Sequence, residues 1–573
     1  MSGGSTEQLY MRWIEKCTDA ELLSELESIR DQPDAISDRF YCGLSFGTGG
    51  LRGEIGAGEN RMNIYTIGKA TQGLAEYLKE IAGHPLVAIA HDNRRNSDVF
   101  AKRAAAILAE NGIRVFMYPV LTPTPMLSYA VRYYHANAGI VITASHNPAV
   151  YNGYKVYGPD GCQITDTAAE KIERHIASAD IFDDVRTCDF EQAVSEGKIV
   201  YIDNGCNESY YRMIEALAPG NAEDAGKLSI VYTPLCGTGR VPVLTALKRA
   251  GFENITCVQE QLMPDPAFTT CPYPNPEVRE ALEYGIRELE RTGADILLAT
   301  DPDCDRMGAA VKDGGKIRLI TGNEMGTLLF DYICRSRELN GTMPKNPVAV
   351  KTIVTTDQAR AIAGHYGVEM REVLTGFKYI GEQIGLLEKA GQKERYIFGF
   401  EESYGYLSGT SVRDKDGVNA CILACRMAAE YKKNGMTLAD ALKVLQEKYG
   451  CCRQALESIA FRGENGMKEM KRIMNRLRCE PPREIGGMQI TVSEDYLKRV
   501  RRDTAGGNEE PIGLPVSDVL KYRFGETASL VVRPSGTEPK LKLYYGVRGC
   551  TDDEAEKTLT ALMKAARALI EAV

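Results

Sequence analysis

The sequence lacks most of the marks from which a function is read at a glance. None of its sixteen cysteines forms a CxxC pair, and no Cys/His group has zinc spacing. That excludes a zinc module and a thioredoxin-like dithiol. Cys421 and Cys425 stand four apart in an apolar helical run, and Cys451 and Cys452 are neighbours. Buried free thiols in a reducing compartment are expected. No segment is long and apolar enough to span a bilayer, and the opening MSGGSTEQLYMRW has no basic stretch before an apolar core. Neither a membrane anchor nor a secretory leader is therefore expected, and a cytoplasmic location is. Positive charge is not in excess: 69 Lys and Arg face 78 Asp and Glu, a net charge of −9. Nucleic acid is not an expected partner, while a local basic pocket can still take an anionic small molecule. No GK[ST] occurs, so there is no Walker loop. GTGGLRG (47–53) misses the GxGxxG spacing and follows no clear strand, so a dinucleotide site is not expected either.

What is present is size and rhythm. The 573 residues suggest about four domains. Residues 6–30 read as a helix. Short Val- and Ile-rich runs then alternate with helices: PLVAIAHDNRRNS, IRVFMYP, AGIVITASHNP, KLSIVYTPLCGTG, ADILLATDPDCDR, PVAVKTIVTT and RYIFGFEESYGY. Such alternation predicts stacked α/β units with mixed, largely parallel sheets. The last hundred residues change character. GMQITVSED, LKYRF, ASLVVRPSG and LKLYYGVRG are closely spaced strands before a final helix, as in an α+β domain. The expected fold class is thus three similar α/β domains and a C-terminal α+β domain, bounded near 1–205, 206–320, 321–455 and 456–573. The loops rich in chemistry (HDNRR, TASHNP, TDPDCDR, FEESYG) all lie where strands end, the edge at which open α/β sheets bind ligands.

Asp301, Asp303 and Asp305 alternate in DPDCDR, with Arg306 beside them. Alternate residues of an extended loop can turn three oxygens toward one hard cation, though a further ligand must come from elsewhere. The sixth and twelfth positions hold Arg306 and Lys312, which excludes an EF-hand. Ser145 and His146 lie in VITASHNP. A nucleophile elbow needs glycine two residues either side of the serine, and Thr143 and Asn147 stand there. A capping turn would explain the stretch. So would a serine that carries a phosphoryl group, whose oxygen would supply the ligand missing from the aspartate loop. In VRPSGTEPKLK, the residues Arg533, Ser535, Gly536, Thr537 and Lys540 offer a guanidinium, hydroxyls, an ammonium and backbone amides suited to a phosphate, or else form a polar hairpin. Glu401 and Ser403 share one side of an extended segment, as suits vicinal sugar hydroxyls.

In this order FGTGGLRG, TASHNP, YNGYK, DPDCDR, TGFK, FEESYG and RPSGTEPK resemble the α-D-phosphohexomutase superfamily over nearly the whole chain, and most closely its phosphoglucomutase and phosphopentomutase branch. The resemblance implies four domains around a central cleft: a phosphoserine-bearing domain, a metal-binding domain, a sugar-recognition domain and a phosphate-binding domain. It implies that Ser145 is phosphorylated, that Asp301, Asp303 and Asp305 with Ser145 hold Mg²⁺, and that Arg52, His146 and Lys155 are the acid/base candidates. It places Arg306, Lys378, Glu401 and Ser403 at the sugar phosphate, and Arg533, Ser535, Gly536 and Thr537 on the phosphate not being transferred. Interconversion of glucose 1- and 6-phosphate is expected, through a sugar 1,6-bisphosphate that also activates the enzyme. Mannose or pentose phosphates are alternatives, and a Mg²⁺-dependent sugar phosphatase a more distant one. Cys304 departs from the small residue common at its position, and its thiol is expected to sensitise the loop to soft metals or oxidation.

Overall fold

The computed structural model describes residues 5–571 apart from 48, 220–221, 462–463 and 536–539. The chain divides into two compact units. The first comprises residues up to 322 together with 380–398 and 403–437, and the second comprises 323–379, 399–402 and 438 onward.

The first unit opens with helices where one was expected. Thr6–Lys16 is capped by Ser5 in a capping box with Gln8, and Asp19 restarts the chain as Ala20–Ser28 by accepting from the Leu22 amide at 3.0 Å. An N-capping aspartate between two amphipathic runs is a stop and a start at once. A third helix, Pro33–Phe40, has proline in its first turn. These helices bury Trp13 completely, with the rings of Phe40, Tyr65 and Phe182 edge-on to it at 5.9, 5.3 and 5.2 Å. Each such pair is worth about 0.5–1.5 kcal/mol beyond the area it buries.

Two mixed sheets follow, built to one plan. The first contains β1 (Gly50–Glu54), β2 (Leu86–His91), β3 (Arg114–Met117), β4 (Ala138–Ile142), β5 (Tyr151–Tyr157) and β6 (Ile199–Tyr201), in the order β1-β5-β4-β2-β3-β6. β4, β2, β3 and β6 run parallel; β5 turns back antiparallel to β4, and β1 pairs antiparallel with β5. The second contains β7 (Ile230–Thr233), β8 (Ile255–Cys257), β9 (Ile296–Thr300), β10 (Met307–Asp313) and β11 (Lys316–Ile320), in the order β11-β10-β9-β7-β8. Here β9, β7 and β8 are parallel, and β10 and β11 antiparallel. Every residue of β4 and β9 is buried, as expected of strands covered on both faces. In both sheets a chemically rich loop joins the outermost parallel strand to the antiparallel one: 143–150 after β4, and 301–306 after β9. A reversal of strand direction releases the backbone from the parallel ladder at that point and leaves its polar groups free for side chains.

In the second unit Val348–Thr352 and Glu369–Val373 pair in parallel. A seven-stranded sheet forms the C-terminal part, in the order 451–460, 540–549, 528–534, 520–524, 492–495, 500–503 and 509–511, with each paired neighbour antiparallel. Helices Glu464–Cys479 and Asp552–Glu571 belong to the same part. This is the mixed α/β architecture with a distinct C-terminal domain that the sequence led us to expect. Two of the expected boundaries cut through elements. Residue 205 lies inside helix Asn204–Leu217, and 455 lies inside strand Cys451–Ala460, which pairs along its length with Lys540–Gly549. A strand whose partner lies ninety residues downstream gives no local sign of where it belongs.

Candidate active site

Residues on the two reversal loops meet within the first unit. Ser145 Oγ donates to Asp301 Oδ2 at 2.7 Å, and His146 Nδ1 lies 3.3 Å from Ser145 Oγ. Asp301 Oδ1 accepts the backbone N–H groups of Asp305 (3.1 Å) and Arg306 (3.0 Å), which folds the aspartate loop around it. Asp303 Oδ2 accepts from Thr124 Oγ1 and Lys155 Nζ, each at 2.9 Å. The Asp305 carboxylate has Lys415 Nζ at 3.2 Å and Lys155 Nζ at 3.5 Å. Arg52 reaches the same field from β1, whose register sets Arg52 opposite Gly153 and Gly50 opposite Lys155.

Both loops turn on a residue other than glycine held in the left-handed region, Ser145 at φ +53° and Cys304 at φ +53°, and Tyr404 in FEESYG does the same at +63°. Such a conformation costs on the order of 1–3 kcal/mol and persists only where its surroundings over-determine it.

All three aspartates are buried, and one oxygen of each lies within 4.8 Å of the others. Burial, and then the neighbouring charges of Asp305 and Asp303, push Asp301 well above the usual carboxylate range. Burial presses Asp303 the same way, but the Lys155 ammonium outweighs it and holds this carboxyl low. Burial opposes the charge on Lys155 too, yet Asp303 and Asp305 keep its pKa above the ordinary value. Burial, Arg306 and Arg52 lower His146 well below 6.5, so its imidazole is neutral at pH 7. Asp303 Oδ1 and Asp305 Oδ1 are buried and accept no hydrogen bond among the described residues. Buried carboxylate oxygens of this kind, converging in a hard-oxygen donor set, fit a divalent cation.

Family models match the chain in four consecutive blocks. Residues 43–181, 208–315 and 321–449 match the α/β/α domains I, II and III of phosphoglucomutase/phosphomannomutase, and 478–565 match its C-terminal domain. A phosphoglucomutase of Staphylococcus aureus (strain USA300) is 35% identical over 557 residues, 96% of this chain and 98% of its own. One of Staphylococcus haemolyticus is 37% identical over 510 residues, 89% of this chain and 91% of its own.

The chain belongs to the phosphoglucomutase/phosphomannomutase family.

The family is one of phosphotransferase and isomerase enzymes, and the chain is such an enzyme. The fold agrees with two solved relatives. A phosphoglucomutase/phosphomannomutase family protein of Burkholderia thailandensis has a TM-score of 0.66 at 18% identity, covering 92% of this chain and 97% of its own. The Paramecium phosphoglucomutase parafusin, in an open form, has a TM-score of 0.68 at 16%, covering 93% and 95%. Among the described residues no helix is long and apolar enough to cross a membrane.

Ser145, His146, Arg52, Lys155, Arg306 and the three aspartates therefore converge. The other expected site residues lie elsewhere in the chain. Ser403 belongs to the first unit, and Lys378, Glu401, Arg533 and Ser535 to the second. Glu401 and Lys378 are buried, with the Lys378 ammonium 4.9 Å from the centre of the Tyr379 ring. Arg533 lies on strand Ala528–Pro534, opposite Lys542. Gly536 and Thr537 lie outside the described residues. Cys304 corrects one expectation. It is fully buried, burial and the nearby Cys421 push its thiol well above the ordinary range, and it lies outside the three-carboxylate group. It offers the cation site nothing.

Lys415, Asp414, Thr124 and Glu277 were not foreseen. Lys415 links Asp305 to Asp414, which also accepts from Tyr157 Oη at 2.7 Å, and Glu277 accepts from Arg306 Nη1 at 2.9 Å. The one sequence signal for Lys415 is its place in RDKDG, a charged run between a strand and a long helix.

The aspartate loop is also braced from behind. Pro302 O accepts from both Thr238 N (2.8 Å) and Thr238 Oγ1 (2.9 Å), and a Cβ on Gly237 would stand 2.4 Å from Pro302 Cα. Gly237→Ala is expected to cost about 1–3 kcal/mol in urea unfolding. It should also lower turnover about tenfold or more by displacing the loop. Unchanged stability with unchanged turnover would show that the loop tolerates the shift.

Proposed function

We propose that the chain is a phosphosugar mutase that interconverts glucose 1-phosphate and glucose 6-phosphate, with Ser145 as the phosphoryl carrier and Mg²⁺ as the cofactor. The observation that carries this reading is the 2.7 Å bond from Ser145 Oγ to Asp301 inside a buried three-carboxylate group. The serine faces a cation site, where a phosphoryl group on its oxygen would meet the metal. Its left-handed turn presents a fixed oxygen to substrate.

Asp301, Asp303 and Asp305 would hold Mg²⁺. Bound there, the ion would draw charge from the oxygens of a phosphoryl group on Ser145. The protein's own part is positioning and charge. In the forward half-reaction the P–Oγ bond of phospho-Ser145 breaks as a P–O bond to a free sugar hydroxyl forms, giving the 1,6-bisphosphate. The hydroxyl proton goes to a base. Neutral His146 can accept it. Lys155 keeps its proton against Asp303 and Asp305 and serves as a positive charge and an acid. Arg52 and Arg306 face the incoming phosphate. The bisphosphate then reorients, and Ser145 Oγ takes back the other phosphoryl group. Lys378, Glu401 and Ser403 read the sugar, while Arg533, Ser535, Gly536 and Thr537 grip the phosphate that is not transferred. These roles follow the family resemblance, as do four domains bounded near 205, 320 and 455, the first and last boundaries moved clear of helix Asn204–Leu217 and strand Cys451–Ala460.

Glucose is the first choice of substrate because phosphoglucomutases are the relatives at 35–37% identity. A coupled assay over glucose, mannose, glucosamine and pentose phosphates tests the choice. The highest kcat/KM should fall on glucose 1-phosphate, with stimulation by catalytic glucose 1,6-bisphosphate. A higher value for a pentose or mannose phosphate would reassign the substrate. Release of inorganic phosphate without isomerisation would replace the mutase by a phosphatase.

A further inference from the structure

The loop after β2, HDNRR, has no role in the scheme so far, yet one of its side chains holds the serine loop. The Arg94 guanidinium is fully buried. Its Nη2 donates to the carbonyls of Ser145 (2.6 Å) and Asn147, and its Nη1 to those of Pro148 (2.8 Å) and Tyr151 (3.0 Å). Nε lies 3.3 Å from Asp92 Oδ2, and the Phe268 ring centre is 5.0 Å from the guanidinium carbon. Asp92 is fixed in turn, since its Oδ1 accepts from Arg94 N (2.9 Å) and Ser97 Oγ (2.7 Å). One planar cation thus binds three carbonyls of the serine loop, including that of the residue at φ +53°, and the first carbonyl of β5.

We propose that Arg94 is a positioning residue for phosphoryl transfer: its two-nitrogen fork, and not its charge alone, holds Ser145 in the left-handed turn that aims Oγ at Asp301. The inference rests on the reading of Ser145 as the carrier. The fork sets the planes of the peptides around Ser145, and those planes set the direction of its Cα–Cβ bond. Without it the residue can relax toward an ordinary φ and swing Oγ away from the carboxylate. The loop would still stand. Ser145 N donates to Thr143 Oγ1 at 2.8 Å, Asn147 N to Ala144 O at 3.1 Å, and Asn152 Nδ2 to Ser97 Oγ and Arg95 O at 3.0 Å each. Arg94 touches neither the three aspartates nor any residue assigned to the sugar, so its loss should spare substrate binding. Lysine separates the two roles of the side chain, because an ammonium keeps the charge but cannot reproduce a planar fork.

The test uses the full-length protein with Mg²⁺ and ³²P-labelled glucose 1,6-bisphosphate, with the label mapped to Ser145 and steady-state kinetics in parallel. Arg94→Lys should melt within about 3 °C of wild type and keep KM for glucose 1-phosphate within about twofold. Its kcat and its rate of Ser145 labelling should fall together by about 100-fold, the cost of misplacing a reacting atom by about 1 Å. Arg94→Ala should show the same signature and regain about tenfold with millimolar guanidinium but not with ethylammonium, which supplies charge without a fork. If Arg94→Lys fails to fold, Asp92→Asn carries the test. It keeps the acceptor for Arg94 N and Ser97 but removes the counter-charge, and should slow labelling and kcat in step by about tenfold. Wild-type labelling rates in the folded variants, or equal rescue by ethylammonium, would overturn the positioning role while leaving the carrier reading intact. A wild-type protein that takes no label on Ser145 would remove both.

Discussion

Asp303→Asn is expected to fold normally and to lose about 100- to 1000-fold in kcat, the usual cost of removing one preorganised group that stabilises transition-state charge. Asp303 is the centre of the aspartate group. One oxygen is held by Thr124 and Lys155, and the other is buried without a hydrogen bond. An asparagine has nearly the same shape and can still accept from Thr124. It has no charge for Lys155 or for a divalent cation. Stability should fall modestly, because the buried Lys155 ammonium keeps only Asp305 as a counter-charge, a loss partly offset by eased repulsion on Asp301. The measurement is kcat across a Mg²⁺ titration, with a thermal melt as the control. A folded variant that turns over near the wild-type rate without added metal would take the aspartates out of the chemistry.

Ser145→Ala has the larger expected effect. Removing a nucleophile that acts as part of a unit can cost about 10⁴-fold or more. Here the loss should be near total, because the phosphoryl group has nowhere else to rest between half-reactions. Binding should survive, since the proposed sugar-phosphate ligands Lys378, Glu401 and Arg533 lie on other elements, a helix and two strands. Calorimetry should therefore give a Kd for glucose 6-phosphate within about tenfold of wild type, the loss of one neutral hydrogen bond being worth about 0.5–1.5 kcal/mol at most. A variant that no longer binds the sugar phosphate would mean that Ser145 is part of the binding surface instead.

Much of this site could be read from the sequence, for a physical reason. Ser145 and the aspartates sit on short loops at strand ends, where apolar runs stop abruptly and side chains of one chemical kind cluster within six residues. Local order of that sort is visible in a linear string. What escaped was tertiary. Lys415 reaches Asp305 across more than a hundred residues, and Thr124 reaches Asp303 across 179. Arg94 looked like one of several polar residues in HDNRR, and only the folded loop shows four carbonyls converging on it. The fold divides in the same way. The alternation of strands and helices predicted the sheets, while β1 was hidden in a glycine-rich stretch because its strand character comes from pairing with β5, not from its own residues. The break between Thr6–Lys16 and Ala20–Ser28 was legible in principle, as Asp19 is an N-cap three residues before the Leu22 amide it accepts from. Strand Cys451–Ala460 was missed for the reason β1 was.

The most direct measurement is a chase of the carrier itself. Protein labelled on Ser145 by ³²P-glucose 1,6-bisphosphate is mixed with unlabelled glucose 6-phosphate and quenched within one turnover. The label should leave Ser145 and appear in glucose 1,6-bisphosphate and then in the glucose monophosphates, with none in inorganic phosphate. Label that stays on the protein while substrate is interconverted, or that leaves as inorganic phosphate, would contradict a carrier role for Ser145.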